Sequence, residues 1–414
     1  MSTVMHAAQL DLVELETRDL TDAQRLRSIA PERRLITWRG RAQQLEDAYR
    51  CITRTPAALY RLEVETTRAS EALLPLQLLR REGREDVTAY ATGPTGFWTR
   101  VIAPHLGARV LFERLDDYGF PQLHRFEKIF GIVGRPVLHS LSPRLHNEGF
   151  RQLGIPALYL PFDVSDFGDF WSALIEGGGL ESLGFSVGAL TVVSPHKEIA
   201  LAAAGAKTPM VARARSSNFF VNEGGVWTAD TTDPEGVLLT LRERGVEPRN
   251  QRVAVVGCGG SGRAIAAALQ QAGADVTLVN RGYDRASLAV RLLRLPFLPL
   301  ASFSPRGYAI VVNATPCGRE GELPFDAELL EDEAVVIDLV YRGEPTPLVA
   351  SRRARGQVTI DGRDVLRMQA MSQFHLMTGE PMPDEVPRVV LGLGEKGEMH
   401  DRPVAVRRLV AQDE

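Results

Sequence analysis

Cysteine is scarce. Cys51, Cys258 and Cys317 are the three in 414 residues, and no two of them share a metal-ligand or redox spacing. A disulfide framework is therefore not expected, and a reducing cytoplasm is the expected compartment. Long apolar runs are lacking too. The opening stretch MSTVMHAAQLDLVELETRDL reaches acidic residues before an apolar run of signal-peptide length develops. No later stretch is long and apolar enough to span a bilayer, so no membrane association is expected. Nor is there an excess of one charge: 48 Lys and Arg against 52 Asp and Glu leave −4, which gives no reason to expect nucleic acid as a partner. Hydrophobic content of 44% and charged content of 24% fit an ordinary soluble chain, long enough for two or three domains with real cores.

What the chain does have is alternation. In the first 125 residues, the apolar runs LDLVELE (10–16), RRLITWR (33–39), LYRLEVE (59–65), VTAYAT (87–92) and RVLFERL (109–115) read as strands. Helical patterns such as AQQLEDAYRCI (42–52) and GFWTRVIAPHL (96–106) separate them. Strand–helix alternation implies parallel pairing through right-handed crossovers, in an open sheet or part of a barrel. A second block opens with KIFGIVG, continues through YLPFDV (159–164) and ALTVV (189–193), and reaches a hairpin formed by FFV and VWTAD across Asn222–Gly225. The third block has strands at Arg252–Gly257, DVTLVN (275–280), YAIVVNAT (308–315) and AVVIDLV (334–340). QVTIDG (357–362) then precedes a helix over Arg363–Thr378 that stops at Gly379.

The run VAVVGCGGSGRAIAAAL places Gly257, Gly259, Gly260, Ser261 and Gly262 between a buried strand and a helix. Gly257 permits the tight turn, Gly259 lets a pyrophosphate approach the backbone, and Gly262 allows close helix–strand packing. The helix N-terminus offers unpaired N–H groups to the anion. A lone glycine pattern is weak, but the flanking strand and helix supply the required context. The next strand ends in Asn280-Arg281 rather than in an acidic residue for a free ribose 2′-hydroxyl. Arg281, joined by Arg285, suits a 2′-phosphate, so NADP is preferred over NAD. The plain alternative is two solvated surface arginines.

Three polar stretches precede this block. Ser140 and Ser142 stand before Pro143 at a helix start, Lys197 follows an X-Pro break after a strand, and Asp230-Thr231-Thr232-Asp233 leads out of the hairpin. Taken singly, they read as an N-cap, a surface lysine and a helix cap. Taken together, they resemble the shikimate dehydrogenase family in one register from Ile129 to about Pro383. The carriers are Ser140-Leu141-Ser142-Pro143, Pro195-His196-Lys197, Asn218, Asp230 to Pro234, Gly257–Arg263, Asn280–Ala286, the Asn313–Gly318 loop, Tyr341 and Gln369. The resemblance implies reversible reduction of 3-dehydroshikimate to shikimate. Lys197 and Asp233 would be catalytic; Ser140 and Ser142 would hold the substrate carboxylate; Asn218, Tyr341 and Gln369 would line the substrate. Asn280, Arg281, Arg285, Asn313 and Thr315 would join the glycine run at the cofactor. No metal is implied. Departures from the family pattern fall at Val193, Thr231, Pro234, Gly282 and Arg363-Asp364. They leave open a paralogue acting on quinate or an aminoshikimate, and a weak nucleotide- and ligand-binding pseudoenzyme.

In the N-terminal third, AYATGPTGFWTRVIAPHLGARVLF resembles the last strands of a type I 3-dehydroquinate dehydratase barrel, keeping its G-x-x-G-x-x-[ST]-R run at Gly93–Arg100. The lysine of that family falls on Arg61 and its histidine near Arg39-Gly40. Arginine stays protonated and cannot serve as a neutral amine nucleophile. Five strands are too few for a closed barrel of about eight. The expectation is an α/β chain: a degenerate partial (β/α) barrel-like segment (1–126), a substrate-binding domain (127–237, completed by 360–383) and an NADP-binding Rossmann domain (238–359). The Pro- and charge-rich tail (384–414) has no assigned role. The remnant would cover the dehydrogenase part or pair with another subunit, since an opened barrel exposes strand edges, and a homodimer is the corresponding partner expectation.

Overall fold

The computed structural model describes residues 5–6, 11–111 and 126–393. Two compact units meet in sequence at Ile199/Ala200.

The first unit begins with β1 (Met5–His6), β2 (Val13–Glu16), α1 (Ala23–Ser28), β3 (Arg34–Arg41), α2 (Leu45–Ile52) and β4 (Leu59–Glu65). It continues with α3 (Ala69–Ala72), α4 (Leu74–Glu82), β5 (Val87–Thr92), α5 (Gly93–Ile102) and β6 (Val110–Leu111). β2, β3, β4 and β5 pair in chain order, all parallel, as strand–helix–strand crossovers require. β1 was not anticipated; it pairs in parallel with β6, far along the chain. Residues 112–115 of the expected fifth strand lie outside the described residues.

The four-stranded sheet has two unlike faces. Leu15, Ile36, Leu62, Val64, Ala89 and Ala91 are fully buried on one face; helices α2, α4 and α5 pack on the sheet. The other face carries Glu14, Thr37, Arg61, Thr88, Arg39, Glu63 and Tyr90, aligned across the register Thr37–Arg61–Thr88 and Arg39–Glu63–Tyr90. The G-x-x-G-x-x-T-R run explains how α5 closes on β5. A β-carbon at Gly96 would fall 2.5 Å from the Ala91 carbonyl carbon, and Thr99 Oγ1 accepts the Ala91 N–H at 2.9 Å.

Then follow β7 (Lys128–Gly134), α6 (Ser142–Leu153), β8 (Ala157–Asp163), α7 (Phe167–Phe170), α8 (Gly179–Ser182) and β9 (Ser186–Val192). β7 is central, parallel to both β8 and β9. Every residue of β8 is buried.

In the second unit, β10 (Ala206–Lys207), α9 (Pro209–Ala214), β11 (Phe219–Glu223) and β12 (Val226–Asp230) precede α10 (Asp233–Glu243). β11 and β12 form the expected antiparallel hairpin, turning through Gly224 and Gly225 at positive φ. The remaining elements are β13 (Arg252–Val256), α11 (Gly260–Gln271), β14 (Asp275–Asn280), α12 (Tyr283–Leu293), β15 (Phe297–Pro299), β16 (Ile310–Asn313), β17 (Val335–Asp338), α13 (Pro347–Arg353), β18 (Thr359–Ile360), α14 (Gly362–Thr378) and α15 (Glu385–Leu391). The parallel sheet runs β15-β14-β13-β16-β17-β18. This is the doubly wound Rossmann order, with its switch point between β13 and β16. Among the described residues, no helix is long and apolar enough to cross a membrane.

The helix start at α14 explains the Arg363-Asp364 departure. Asp361 caps the helix, accepting from Arg363 N at 2.8 Å and Asp364 N at 3.2 Å, while Asp364 returns a bond from Asp361 N. Burial pushes the Asp361 carboxyl up, but the Arg353 and Arg363 guanidiniums outweigh it and hold it below its ordinary value. A depressed carboxyl stabilises the fold above its unfolded-state pKa and loses that contribution as pH falls through the folded value. Asp361→Ala is therefore expected to cost about 2 kcal/mol near neutral pH. Denaturant titrations should also show a shallower loss of stability on acidification in the variant than in the parent.

Candidate active site

The glycine loop after β13 is shaped for an anion. Gly257 has φ +111°, and a β-carbon there would come 2.9 Å from the Ala314 carbonyl oxygen. A β-carbon at Gly262 would collide with the Gly257 carbonyl, so both positions exclude other residues. At Gly259 a β-carbon meets no atom within 4 Å. Gly259 is the N-cap of α11 and makes no side-chain cap bond, and the first-turn N–H groups of Gly260 and Gly262 have no acceptor within the helix. The residues present thus fit a pyrophosphate. Beneath the loop, buried Arg263 donates to the carbonyls of Cys258 (3.1 Å), Ala214 (2.8 Å) and Arg215 (3.1 Å), fixing the loop to the end of α9.

Asn280 joins the glycine loop to the turn after β14: its Oδ1 accepts from Cys258 N at 3.1 Å, and its Nδ2 donates to Gly282 O at 2.7 Å. Arg281 and Arg285 are exposed beside it. Across the switch point, Asn313 is fully buried and its amide is used within its own loop and across to Asp338 of β17. Nδ2 donates to Cys317 O and Asp338 Oδ1, both at 2.9 Å, and Oδ1 accepts from Thr315 N and Oγ1. Thr346 Oγ1 donates to Asp338 Oδ2 at 2.6 Å. Burial pushes the Asp338 carboxyl up, against these hydrogen bonds. Tyr341 is half-buried just beyond β17.

A second cluster forms at the start of α10. Asp233 is buried in the first helical turn, where the helix dipole favours an anion. It is not the cap residue. Its Oδ1 accepts 2.8 Å bonds from both Asn218 Nδ2 and Gln369 Nε2. Asn218 Oδ1 accepts from Thr232 N at 2.8 Å. Gln373 Nε2 donates to Thr232 Oγ1 at 2.8 Å. The structure thus brings Asn218, Asp233 and Gln369 together, and it adds Thr232 and Gln373. Gln373 stands four residues after Gln369 on α14, hence on the same helical face, and that spacing was the available signal.

In the first unit, the C-terminal ends of β7, β8 and β9 carry the remaining candidates. Ser142 is the first residue of α6 and its N–H donates to Ser140 Oγ at 3.2 Å, whereas Leu141 is the N-cap. The serine and lysine segments are joined at their roots: Arg135 N donates to Ser194 O at 3.1 Å. Val137 N donates to Asp163 Oδ2 at 2.9 Å, a role for Asp163 that the sequence did not announce. Lys197 is half-buried, one residue after buried His196. In the N-terminal sheet, Arg61 pairs with Glu14 and Glu63, and Arg39 with Glu14, Glu16 and Glu63.

Comparison with known proteins places this geometry. Residues 132–219 match the family model "Shikimate dehydrogenase substrate binding domain", and residues 253–294 match "Ketopantoate reductase PanE/ApbA". A protein of Acidiphilium cryptum named shikimate dehydrogenase (NADP(+)) is 36% identical over 263 residues, which are 62% of this chain and 93% of that protein. The chain belongs to the shikimate dehydrogenase family. A Rubrobacter xylanophilus protein of the same name is 36% identical, with 66% of this chain and 99% of that protein covered. The Thermus thermophilus shikimate 5-dehydrogenase, solved in complex with NADP(H) and shikimate, is similar at 30% identity and a TM-score of 0.56, covering 64% of this chain and 98% of that one.

In this member of the shikimate dehydrogenase family, Gly259 separates binding from folding. Its φ of −71° is ordinary and its surroundings are open. Gly259→Val is expected to leave the melting temperature within about 2 °C while weakening NADP binding at least about tenfold, because the side chain occupies the space a pyrophosphate needs. Calorimetric melting and fluorescence titration with NADPH check the two halves.

Proposed function

We propose that this chain is an NADP-dependent shikimate dehydrogenase, interconverting 3-dehydroshikimate and shikimate with Lys197 and Asp233 as its catalytic pair. The observation that carries the reading is the buried Asp233 carboxylate, one oxygen of which accepts from two amides while lying in the first turn of α10. Those bonds fix the orientation of the carboxylate. NADPH, when bound, supplies the hydride for the C3 carbonyl. The oxygen gaining charge then needs a positioned donor, and the Lys197 ammonium is the group of matching chemistry. Asp233 orients that lysine and exchanges its proton. Ser140 and Ser142 hold the substrate carboxylate, Asn218 and Gln369 bind ring hydroxyls, and Tyr341 lines the substrate. NADP rather than NAD is supported by the names of the relatives, by the NADP(H) complex of the Thermus protein and by exposed Arg281 and Arg285.

The domain reading follows: residues 127–237 with 360–383 bind substrate and 238–359 bind NADP. Consecutive parallel pairing of β2 to β5 and the Gly93–Arg100 run support reading 1–126 as a degenerate 3-dehydroquinate dehydratase-like segment. With Arg61 and Arg39 at the catalytic places and engaged by carboxylates, it lacks dehydratase activity. A second substrate reading, quinate or an aminoshikimate, rests on Val193, which offers no hydrogen bond where the family has a threonine.

NADP- and NADPH-linked assays with shikimate, quinate and their dehydro forms test the proposal. Shikimate should be oxidised fastest, and Lys197→Ala should lose at least about a hundredfold in kcat. Rates no higher than those of Lys197→Ala with every substrate would overturn it. Arg281→Ala should raise the KM for NADP roughly tenfold and leave that for NAD unchanged. With 3-dehydroquinate, no ultraviolet absorbance of an enone should develop.

A further inference from the structure

Two of the contacts between the N-terminal segment and the rest of the first unit fall on the stretch from β8 through α7. The first is aromatic. Trp98 of α5 is fully buried, and its ring lies 5.5 Å from that of Phe162 near the end of β8. From Phe162 the contacts continue to Phe170 (5.1 Å), then Phe167 (6.1 Å), then the His196 ring (5.8 Å). The second is polar. Asp169 of α7 accepts from Ser70 Oγ at 2.7 Å, Ser70 N at 3.0 Å and the Arg68 guanidinium at 2.9 Å. Burial pushes the Asp169 carboxyl up, but these partners outweigh it and hold it below its ordinary value.

The stretch held in this way seats both candidate loops. Val164, just after β8, accepts His196 Nε2–H at 2.8 Å, and its own N–H donates to Gly134 O at 3.0 Å. Asp163 holds Val137 N, at the root of the serine segment. His196 adjoins Lys197, and its N–H closes a turn onto Val193 O at 2.9 Å. A shift in Phe162 or α7 is therefore transmitted to the lysine loop by ring packing and one backbone carbonyl, and to the serine loop by one carboxylate. The relatives reported above match 62% to 66% of this chain.

We propose that the N-terminal domain is a positioning element for the dehydrogenase: Trp98 and the Arg68–Ser70–Asp169 cluster fix the β8–α7 stretch, which sets the lysine and serine loops. The inference rests on the roles proposed above for Lys197, Ser140 and Ser142. Trp98 and Ser70 touch no candidate catalytic group and act only through their neighbours. Misplacing a reacting group by about 1 Å costs up to about a hundredfold in rate, so small relaxations here are measurable.

The test uses full-length Trp98→Ala, Trp98→Phe, Ser70→Ala and Asp169→Asn beside the parent. Hydrogen–deuterium exchange is followed in peptides covering 135–142 and 193–199, together with steady-state kinetics and NADP affinity. Trp98→Ala should speed exchange in both peptides and lower kcat about tenfold, Ser70→Ala and Asp169→Asn about threefold each, and Trp98→Phe should restore most of the loss. NADP affinity, set by the second unit's glycine loop, should stay within about twofold in all four. Folded variants with parental exchange in both loops overturn the inference. Equal loss of NADP affinity and kcat would also overturn it, since that marks general destabilisation. Should Trp98→Ala not fold, Ser70→Ala and Asp169→Asn decide. A parent inactive on every substrate would sink the shikimate reading, and the exchange data would still decide whether the N-terminal domain holds these loops.

Discussion

The substrate-side part of the second unit depends on one buried carboxylate. Removing the charge of Asp233 from water is costly unless donors replace the lost solvent, and here the donors come from distant parts of the chain. Asn218 precedes β11, and Gln369 lies on α14, beyond the whole Rossmann sheet. The polypeptide must complete six parallel strands before α14 can return to α10. That return is secured by more than the amide. A β-carbon at Gly236 would come 2.6 Å from Gln369 Cγ, so only glycine lets the helices approach so closely. Two ion pairs, Arg244–Asp364 and Arg367–Glu243, fasten the same pair of helices. The nucleotide fold and the candidate catalytic acid are therefore parts of one folding problem.

The residues expected at the cofactor divide into three kinds. The glycines leave space by having no side chain, and Arg281 and Arg285 are exposed. Asn280 and Asn313 are different, because their amides are already bonded within or between the loops that bear them. Asn313 and Asp338 together make a buried polar network whose members are mutually satisfied, and such networks rigidify their surroundings. These residues contribute by fixing where backbone groups stand.

Legibility in the sequence followed the range of the interaction. Steric demands between neighbours in the chain were readable: the strand–glycine–helix run, the hairpin through Gly224-Gly225, and strands such as Leu59–Glu65 and Val87–Thr92 at their observed limits. The pairing of β1 with β6 and the contact of Trp98 with Phe162 join residues far apart, and no local pattern marks them. The Gly93–Arg100 run was visible, but its physical content here is packing: Gly96 admits β5 and Thr99 bonds to Ala91. Nor does the pairing of Arg61 with two carboxylates follow from its position in a strand; it depends on Glu14 of β2 lying two strands away.

The departures from the family pattern can now be separated by what surrounds them. Arg363 and Asp364 begin α14, where Asp364 closes a capping box and pairs with Arg244, so their chemistry is that of a helix start. Pro234 occupies the first turn of α10, where a missing N–H removes no helical bond. Neither change need touch the substrate. Thr231 is half-buried beside Asp230, whose Oδ1 takes its N–H at 2.8 Å, and its hydroxyl remains a donor and acceptor. Val193 stands apart. It is half-buried at the end of β9, and its methyl group occupies the space a β-carbon on Gly134 would need. Its apolar side chain thus sits between the roots of the serine and lysine loops, where a hydroxyl would have offered a hydrogen bond. Val193 is thus the departure that removes hydrogen-bonding capacity at the roots of the two loops, whereas Pro234 and Arg363-Asp364 are accounted for by the start of a helix.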